Sequence, residues 1–204
     1  KLIAYLDKGG KILMTTAYME DFAEEMPNLQ KVLDYFGLTI EKGLVMEGDS
    51  SMYYQQPAYL LPDVAYDTLT KGISGEKYIF MPYAQGIRSE EKEDVTLTPL
   101  LTSSEASYSK LNMNQAQNYE KEDRDAEGPF DVGIHAEKKL EEGTAGLTLF
   151  TSENLFTDNA NSMVADANLT LFTNTVASMS DSKERVSVPV KSYEASMITI
   201  NDGT

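Results

Sequence analysis

The chain has 204 residues, with 33 Asp and Glu against 17 Lys and Arg, which gives a formal net charge of −16 at pH 7. This charge repels phosphate backbones, so nucleic acid is excluded as a partner. The chain has no cysteine, which excludes disulfides, thiolate metal sites and a cysteine nucleophile. No stretch approaches the roughly 18 to 20 apolar residues of a membrane span, so any membrane anchor must lie outside residues 1–204.

The first half of the chain alternates predicted helices and strands. Residues 2–6 predict a helix that ends at Gly9-Gly10, and the unbroken apolar run of residues 11–16 predicts a strand covered on both faces. Pro27 starts a second helix that Gly37 ends. Short strands are predicted at 38–40, 44–46 and 78–81.

The character changes between about residues 85 and 128, where two acidic runs flank a stretch rich in Ser, Asn and Gln. We predict a loop-rich acidic segment here, with one strand at 95–101. Strands are predicted again at 131–136 and 146–150, followed by one long helix from about Asn159 to Met179 that Asp158 caps. Two further strands are predicted in the tail, at 186–188 and 197–200. We expect one α/β domain over 1–204, a three-layer sandwich around a mostly parallel sheet.

In such sheets, ligands bind beyond the carboxyl ends of the strands. Polar residues follow three predicted strands at this point, and they are the candidate ligand-binding residues: Thr15, Thr16, Ser103, Ser104, Ser152, Asn154 and Asp158. The alternative is that these side chains only cap helices and satisfy the backbone of turns. We expect them to meet on one rim of the sheet.

Twelve tyrosines and no tryptophan are present. Tyrosines can stack on sugars or form an interface, because each ring has an apolar body and a polar tip. Tyr53 and Tyr54 are therefore added to the candidate binding residues, although packing of a loop-rich insertion is the simpler explanation of the tyrosines. One third of the chain holds six of them: Tyr53, Tyr54, Tyr59, Tyr66, Tyr78 and Tyr83.

Three short motifs imitate catalytic or metal sites. Residues 123–128 begin like a calcium-binding loop, but Ile134 stands where the bidentate Glu should be. Ser107 and Lys110 form a Ser-x-x-Lys pair, as in serine acyl-enzymes, without the Lys-Thr-Gly element. His135 is the only histidine, and we expect it on the surface or at a cleft rim, opposite the apolar face of its strand. These incomplete sets predict no enzyme activity, no cofactor and no metal.

Several segments together resemble one family. They are residues 2–14, 27–38, 100–104 and 128–133, and the helix after Ser152-Glu153-Asn154-Leu155-Phe156-Thr157. In this order they resemble the extracytoplasmic domain of the gliding-motility-type (GldG-like) ABC transporter auxiliary proteins. The resemblance implies a glutamine-amidotransferase-like, flavodoxin-like sandwich without the catalytic cysteine, held outside the membrane by flanking spans. Residues 186–191 are similar to the family's strand before its return to the membrane.

The expected function is therefore that of a non-catalytic accessory domain of an ABC transport system, on the extracytoplasmic face of the cell membrane. Its expected partners are the membrane or ATPase subunits of the transporter, or a small-molecule or glycan ligand. Two alternatives remain from other classes. One is a free-standing sugar- or peptide-binding module that uses the tyrosines, and the other is a serine acyl-enzyme built on Ser107 and Lys110.

Overall fold

The computed structural model describes residues 1–111 and 119–180. The predicted tail strands at 186–188 and 197–200 lie outside these residues. Five helices are described, and their bounds are α1 (Leu2–Leu6), α2 (Phe22–Glu25), α3 (Pro27–Tyr35), α4 (Asp158–Ser162) and α5 (Ala167–Met179). No helix in this part of the chain is long and apolar enough to cross a membrane.

Twelve strands are described. In chain order they are β1 (Lys11–Thr15), β2 (Leu38–Ile40), β3 (Leu44–Met46), β4 (Tyr59–Leu60), β5 (Asp63–Val64), β6 (Met81–Pro82), β7 (Ile87–Ser89), β8 (Val95–Thr102), β9 (Tyr108–Lys110), β10 (Ala126–Glu127), β11 (Asp131–Lys139) and β12 (Thr144–Phe150). Most predicted strands are confirmed, but the one at 78–81 is reduced to Met81–Pro82. Four of the described strands lie between residues 85 and 128, where one was predicted.

The expected fold class is wrong. The protein is mostly β, 21% helical, and its main sheet is a curled, mixed half-barrel rather than the middle layer of a three-layer α/β sandwich. Seven strands form this sheet in the path β1-β12-β11-β7-β2, with β8 paired to β11 and β5 paired to β8. Only the β1–β12 pairing is parallel within it. The glutamine-amidotransferase-like, flavodoxin-like architecture that the family resemblance implied is therefore also wrong.

The error comes from the apolar runs of β1 and β12. Such runs are typical of parallel strands because both faces are covered, and β12 is indeed buried along nearly its whole length. However, β12 follows β11 through a tight hairpin in which Leu140 N–H donates to Gly143 O at 3.1 Å and Gly143 takes a φ of +83°. β11 and β12 are therefore antiparallel neighbours, with no crossover helix between them.

Two apolar clusters cover the two faces of the main sheet. Ile134 and Leu149 point into one cluster with the apolar sides of α1, α2 and α3. Val132 and Phe150 point into the other, with α5 and the segment between β4 and β8. A side chain at Gly133 would meet the Phe150 ring at 2.7 Å, so glycine lets β11 pass close under this ring. The register of β11 against β8 shifts at the same residue.

The predicted long helix is two helices. Ala165 and Asp166 take left-handed backbone conformations, with φ of +47° and +63°, and separate α4 from α5. Thr157, and not Asp158, caps α4, since its side chain accepts the N–H of Ala160. The apolar residues within the predicted helix are only partly buried, because Phe172 and Val176 remain exposed on α5.

Candidate functional site

Three strands of the main sheet end at the same edge. β1 is parallel to β12, and β8 and β12 are both antiparallel to β11, so β1, β8 and β12 run in one direction. The segments after these strands carry the predicted Thr15-Thr16, Ser103-Ser104 and Ser152-Asn154. We call this edge the strand-exit rim. The three segments lie at this edge of a sheet with mixed pairing, and not at the edge of a mostly parallel sheet.

Most of the predicted hydroxyl groups on the strand-exit rim hold the fold. Ser103 Oγ lies 2.8 Å from Ser107 Oγ and accepts Phe130 N–H at 2.8 Å. Ser104 N–H and its hydroxyl donate to the buried carboxylate of Glu47. Ser152 Oγ donates to the carbonyl of Pro82. These side chains satisfy turns and loops, as the alternative interpretation of the sequence proposed.

The other candidates differ in accessibility. Thr15 is exposed at the end of β1, whereas Thr16 is buried and its hydroxyl has no hydrogen-bond partner among the described residues. Tyr53 is half-buried in a bridge to Leu60. Asp158 is exposed in the first turn of α4. None of these four residues lines the cavity at the rim.

Asn154 does line a cavity of about 200 Å³ at the strand-exit rim. We call it the rim cavity, and its lining residues are Tyr18, Leu44, Tyr83, Glu153 and Asn154. Tyr18 follows β1 by three residues, and Asn154 follows β12 by four. Within residues 1–111 and 119–180, the Tyr18 hydroxyl, the Glu153 carboxylate and the Asn154 amide have no intramolecular hydrogen bond. Three polar groups with free hydrogen-bonding capacity therefore surround one small cavity.

Gln85 fixes the loop that carries Tyr18. Its side chain is fully buried, accepts Met19 N–H at 2.9 Å, and donates to the carbonyls of Met19 and Glu41, each at 2.9 Å. Its own carbonyl accepts the Thr151 hydroxyl, next to the exit of β12. Gln85 thus holds the loop after β1 through its side chain and contacts the exit of β12 through its backbone carbonyl.

Tyr83 belongs to an aromatic group beside the rim cavity. Its ring meets Tyr59 edge to face with centroids 5.3 Å apart, and Tyr59 and Tyr54 both meet Phe80 edge to face. We call these four residues the tyrosine cluster. Tyr54 and Tyr83 are each at least 40% exposed. Tyr66 and Tyr78 lie outside this cluster and line a separate cavity of about 420 Å³.

Two residues of this region hold backbone conformations that are costly for residues other than glycine. Tyr83 has a φ of +58° and Gln55, next to Tyr54, a φ of +62°. Residues in such strained conformations persist only where the surrounding packing holds them in place, and they cluster at ligand-binding and catalytic positions. Tyr83 N–H donates to Ala58 O at 2.9 Å, which anchors this conformation.

Lys110 is the buried cation of the acidic segment. Its ammonium donates to Glu120 O and to a carboxylate oxygen of Glu122, both at 2.7 Å, and lies 3.5 Å from Asp125 Oδ2. Burial alone lowers the pKa of Lys110, but the hydrogen bond to Glu122 and the charges of Asp125 and Glu122 together raise it above its usual value. The acidic run is therefore organised around an ammonium of the protein itself, and Asp125 is buried rather than solvated.

The Ser-x-x-Lys pair is divided between separate hydrogen-bond networks. Ser107 Oγ donates to Ser104 O at 2.7 Å, while the Lys110 ammonium is committed to the acidic segment. Its pKa is raised, so it stays protonated at neutral pH, whereas a general base must be neutral. Within the part of the chain that the structure describes, no group of three or more His, Asp or Glu residues is placed to hold a metal ion.

His135 lines another cavity of about 200 Å³, on the sheet face opposite Ile134. Its Nδ1 lies 2.8 Å from Thr148 Oγ1, and its Nε2 lies 3.9 Å from Glu137. Burial lowers the pKa of His135 below 6.5, although the carboxylates of Glu137 and Asp67 act in the opposite direction. Lys11 and Thr98 are among the other polar residues that line this cavity.

We expect His135 to make folding less favourable in acid. Since its pKa is lower in the folded protein, the unfolded chain takes up a proton first as the pH falls below about 6.5, and this part of the stability is lost. His135 is the only histidine, so its imidazole signals in an NMR titration report the pKa without ambiguity. A midpoint at or above 6.5 would contradict the buried, neutral ring. His135→Gln should remove this component of the pH dependence of unfolding.

No protein-family model matches the chain, and no curated protein matches it. Among solved structures, it is similar to an "mmIFT52 N-terminal domain", with a TM-score of 0.60, 12% sequence identity, and coverage of 91% of this chain and 71% of that one. At this identity the likeness concerns the fold alone. It agrees with the half-barrel described above.

Of the residues that line the rim cavity, Asn154 was predicted at a strand exit and Tyr83 among the clustered tyrosines, whereas Tyr18, Leu44 and Glu153 were not predicted. Tyr18 follows the predicted exit of β1 by three residues, and Glu153 stands between two candidates, so both could have been included by extending the exit segments. Leu44 had no signal, because it reaches the cavity only through the pairing of β3 with β9.

Proposed function

We propose that this chain is a non-catalytic extracytoplasmic accessory domain of an ABC transport system, which recognises a transporter partner or a ligand through the strand-exit rim. The observation that carries this proposal is the rim cavity, where hydroxyl, carboxylate and amide groups lack partners within the described fold. A few convergent polar groups in a preformed cavity are typical of binding sites. The transport context comes from the GldG-like resemblance of the sequence.

The placement of Ser107 and Lys110 favours binding over acyl transfer. A serine nucleophile needs a neutral base within hydrogen-bond reach, whereas the Lys110 ammonium is held by Glu120 O, Glu122 and Asp125. Ser107 is 2% exposed and donates to a backbone carbonyl. The serine acyl-enzyme is therefore the weakest of the three candidates.

A free-standing sugar- or peptide-binding module remains the second candidate, and the exposed rings of Tyr54 and Tyr83 favour it. Both candidates use the same rim. They differ in anchoring, since an accessory domain of a transporter is held to the membrane by segments outside residues 1–204. The expected partners in the first case are the membrane and ATPase subunits of the transporter.

The test is co-purification of the tagged full-length protein from its native membranes, with mass-spectrometric identification of the partners. We expect an ABC ATPase and a membrane subunit with the wild-type protein, and recovery reduced by Glu153→Lys, which reverses a charge at the rim. Tyr66→Ala, outside the rim, is the matched control and should leave recovery unchanged. A full-length protein that is released in soluble form, with no transporter subunit bound, would refute the proposal.

A further inference from the structure

The rim cavity combines aromatic walls with a carboxylate. Two of its five lining residues are tyrosines, Tyr18 and Tyr83, one is the apolar Leu44, and Glu153 and Asn154 carry oxygen acceptors. The negative face of an aromatic ring attracts cations, and two or more such rings around one space are how proteins recognise ammonium groups. A neighbouring carboxylate adds direct charge attraction. The lining is therefore suited to a positively charged organic group.

The charges around the cavity also favour a positively charged ligand. Burial raises the pKa of the Tyr18 hydroxyl, and the nearby carboxylates of Glu20 and Glu25 raise it further, which places negative charge close to this ring. Lys42, a cation in the same region, is paired with Asp21 at 2.5 Å. Together with the net charge of −16, these groups disfavour anions and attract cations.

The aromatic side of the cavity is held in place before any ligand arrives. Tyr83 packs edge to face on Tyr59, the two hydroxyls lie 3.2 Å apart, and the backbone of Tyr83 is fixed at a φ of +58°. Gln85 holds the loop of Tyr18 through Met19. A preformed site loses less conformational entropy on binding, so both rings can act on a small cation.

We propose that the rim cavity binds an organic ammonium group between Tyr18 and Tyr83, with Glu153 as its counter-charge. This ligand class rests on the recognition role proposed for the rim, but its test needs no transporter. A quaternary ammonium uses the ring faces and the carboxylate. A primary ammonium, such as a lysine side chain of a partner, also donates hydrogen bonds to the amide oxygen of Asn154.

The experiment titrates the purified chain with choline, with butylammonium as a lysine side-chain analogue, and with 3,3-dimethyl-1-butanol, the neutral isostere of choline. Binding is followed by NMR shifts of residues 18, 83 and 154 over a millimolar range. We expect saturable binding of at least one ammonium ion, about tenfold or more tighter than the neutral isostere. Tighter binding of choline indicates a quaternary ammonium ligand, and tighter binding of butylammonium indicates a primary ammonium such as a lysine side chain.

Two variants assign the binding to the cavity. Glu153 is exposed, so Glu153→Gln leaves the fold intact and should weaken ammonium binding several-fold, and Tyr83→Leu should do the same by removing a ring face. Tyr66→Leu, in the other tyrosine-lined cavity, is the control and should not change the affinity. Equal binding of choline and its neutral isostere, no binding of either ammonium ion, or unchanged affinity in both rim variants would overturn the proposal. None of these results depends on whether a transporter co-purifies.

Discussion

Lys110→Met should lower the free energy of unfolding by about 3–5 kcal/mol, the cost of removing one partner from a buried ion pair. The variant leaves the carboxylate of Asp125, 1% exposed, without a countercharge. It also removes the donor to Glu120 O and Glu122. Urea-induced unfolding at neutral pH, with the slope checked for two-state behaviour, measures the difference.

Lys121→Met is the matched control for this variant. Lys121 pairs with Glu127 at 3.0 Å, but both side chains are well exposed, and such surface pairs contribute roughly 0–1 kcal/mol. A Lys110→Met variant that loses no more than the control would show that Lys110 does not organise the acidic segment.

Gln85→Met should also be strongly destabilising, by roughly 2–5 kcal/mol. The substitution removes three partly buried hydrogen bonds at similar side-chain volume and leaves Met19 N–H, Met19 O and Glu41 O without them. An unsatisfied polar group costs up to about 1–3 kcal/mol when it is buried. The range allows for partial rescue of these groups by water. Chemical unfolding gives the total effect.

The local effect of Gln85→Met should appear at the strand-exit rim. We expect faster amide hydrogen exchange in residues 16–19 than in wild type, because the loop that carries Tyr18 loses its hydrogen bonds to the side chain of residue 85. Gln56→Met is the comparison, since the side chain of Gln56 bonds to exposed tyrosine hydroxyls, among them those of Tyr83 and Tyr119. If the two variants are equally stable and exchange is unchanged at 16–19, Gln85 does not position the loop.

The strands of the core could be predicted from the sequence because their apolar patterns reflect burial directly. Residues 11–15, 38–40, 95–102 and 131–139 were found close to their observed bounds. Pro27 and Gly37 marked the second predicted helix for the same local reason: one fixes φ at a helix start and the other takes a φ of +74° at the end. These signals depend only on neighbouring residues.

The direction of the strands could not be predicted in this way. An apolar run records that both faces are covered and not which strand lies beside it, so β12 was assigned to a parallel sheet although its hairpin partner is β11. The break in the predicted long helix could not be predicted either. Nothing in the pattern of apolar residues marks Ala165 and Asp166, whose left-handed conformations are costly for residues other than glycine.

The candidate site shows the same limit. The exits of β1, β8 and β12 were named from sequence, but which side chains face the cavity depends on packing. The side chains of Ser103, Ser104 and Ser152 are hydrogen-bonded to Phe130, Glu47 and Pro82, respectively. Short polar residues at strand exits serve turns and ligands alike, so sequence alone could not separate these serines from Asn154.

Binding at the strand-exit rim is most directly tested by hydrogen–deuterium exchange of the full-length protein, alone and in the transporter complex recovered with it. We expect slower exchange on complex formation in residues 16–19, 83–85 and 152–154. Residues 66–78, which include the two tyrosines of the other cavity, should exchange at the same rate in both states. Protection restricted to residues 66–78 or to the exposed face of α5, with the rim unchanged, would contradict the rim as the recognition surface.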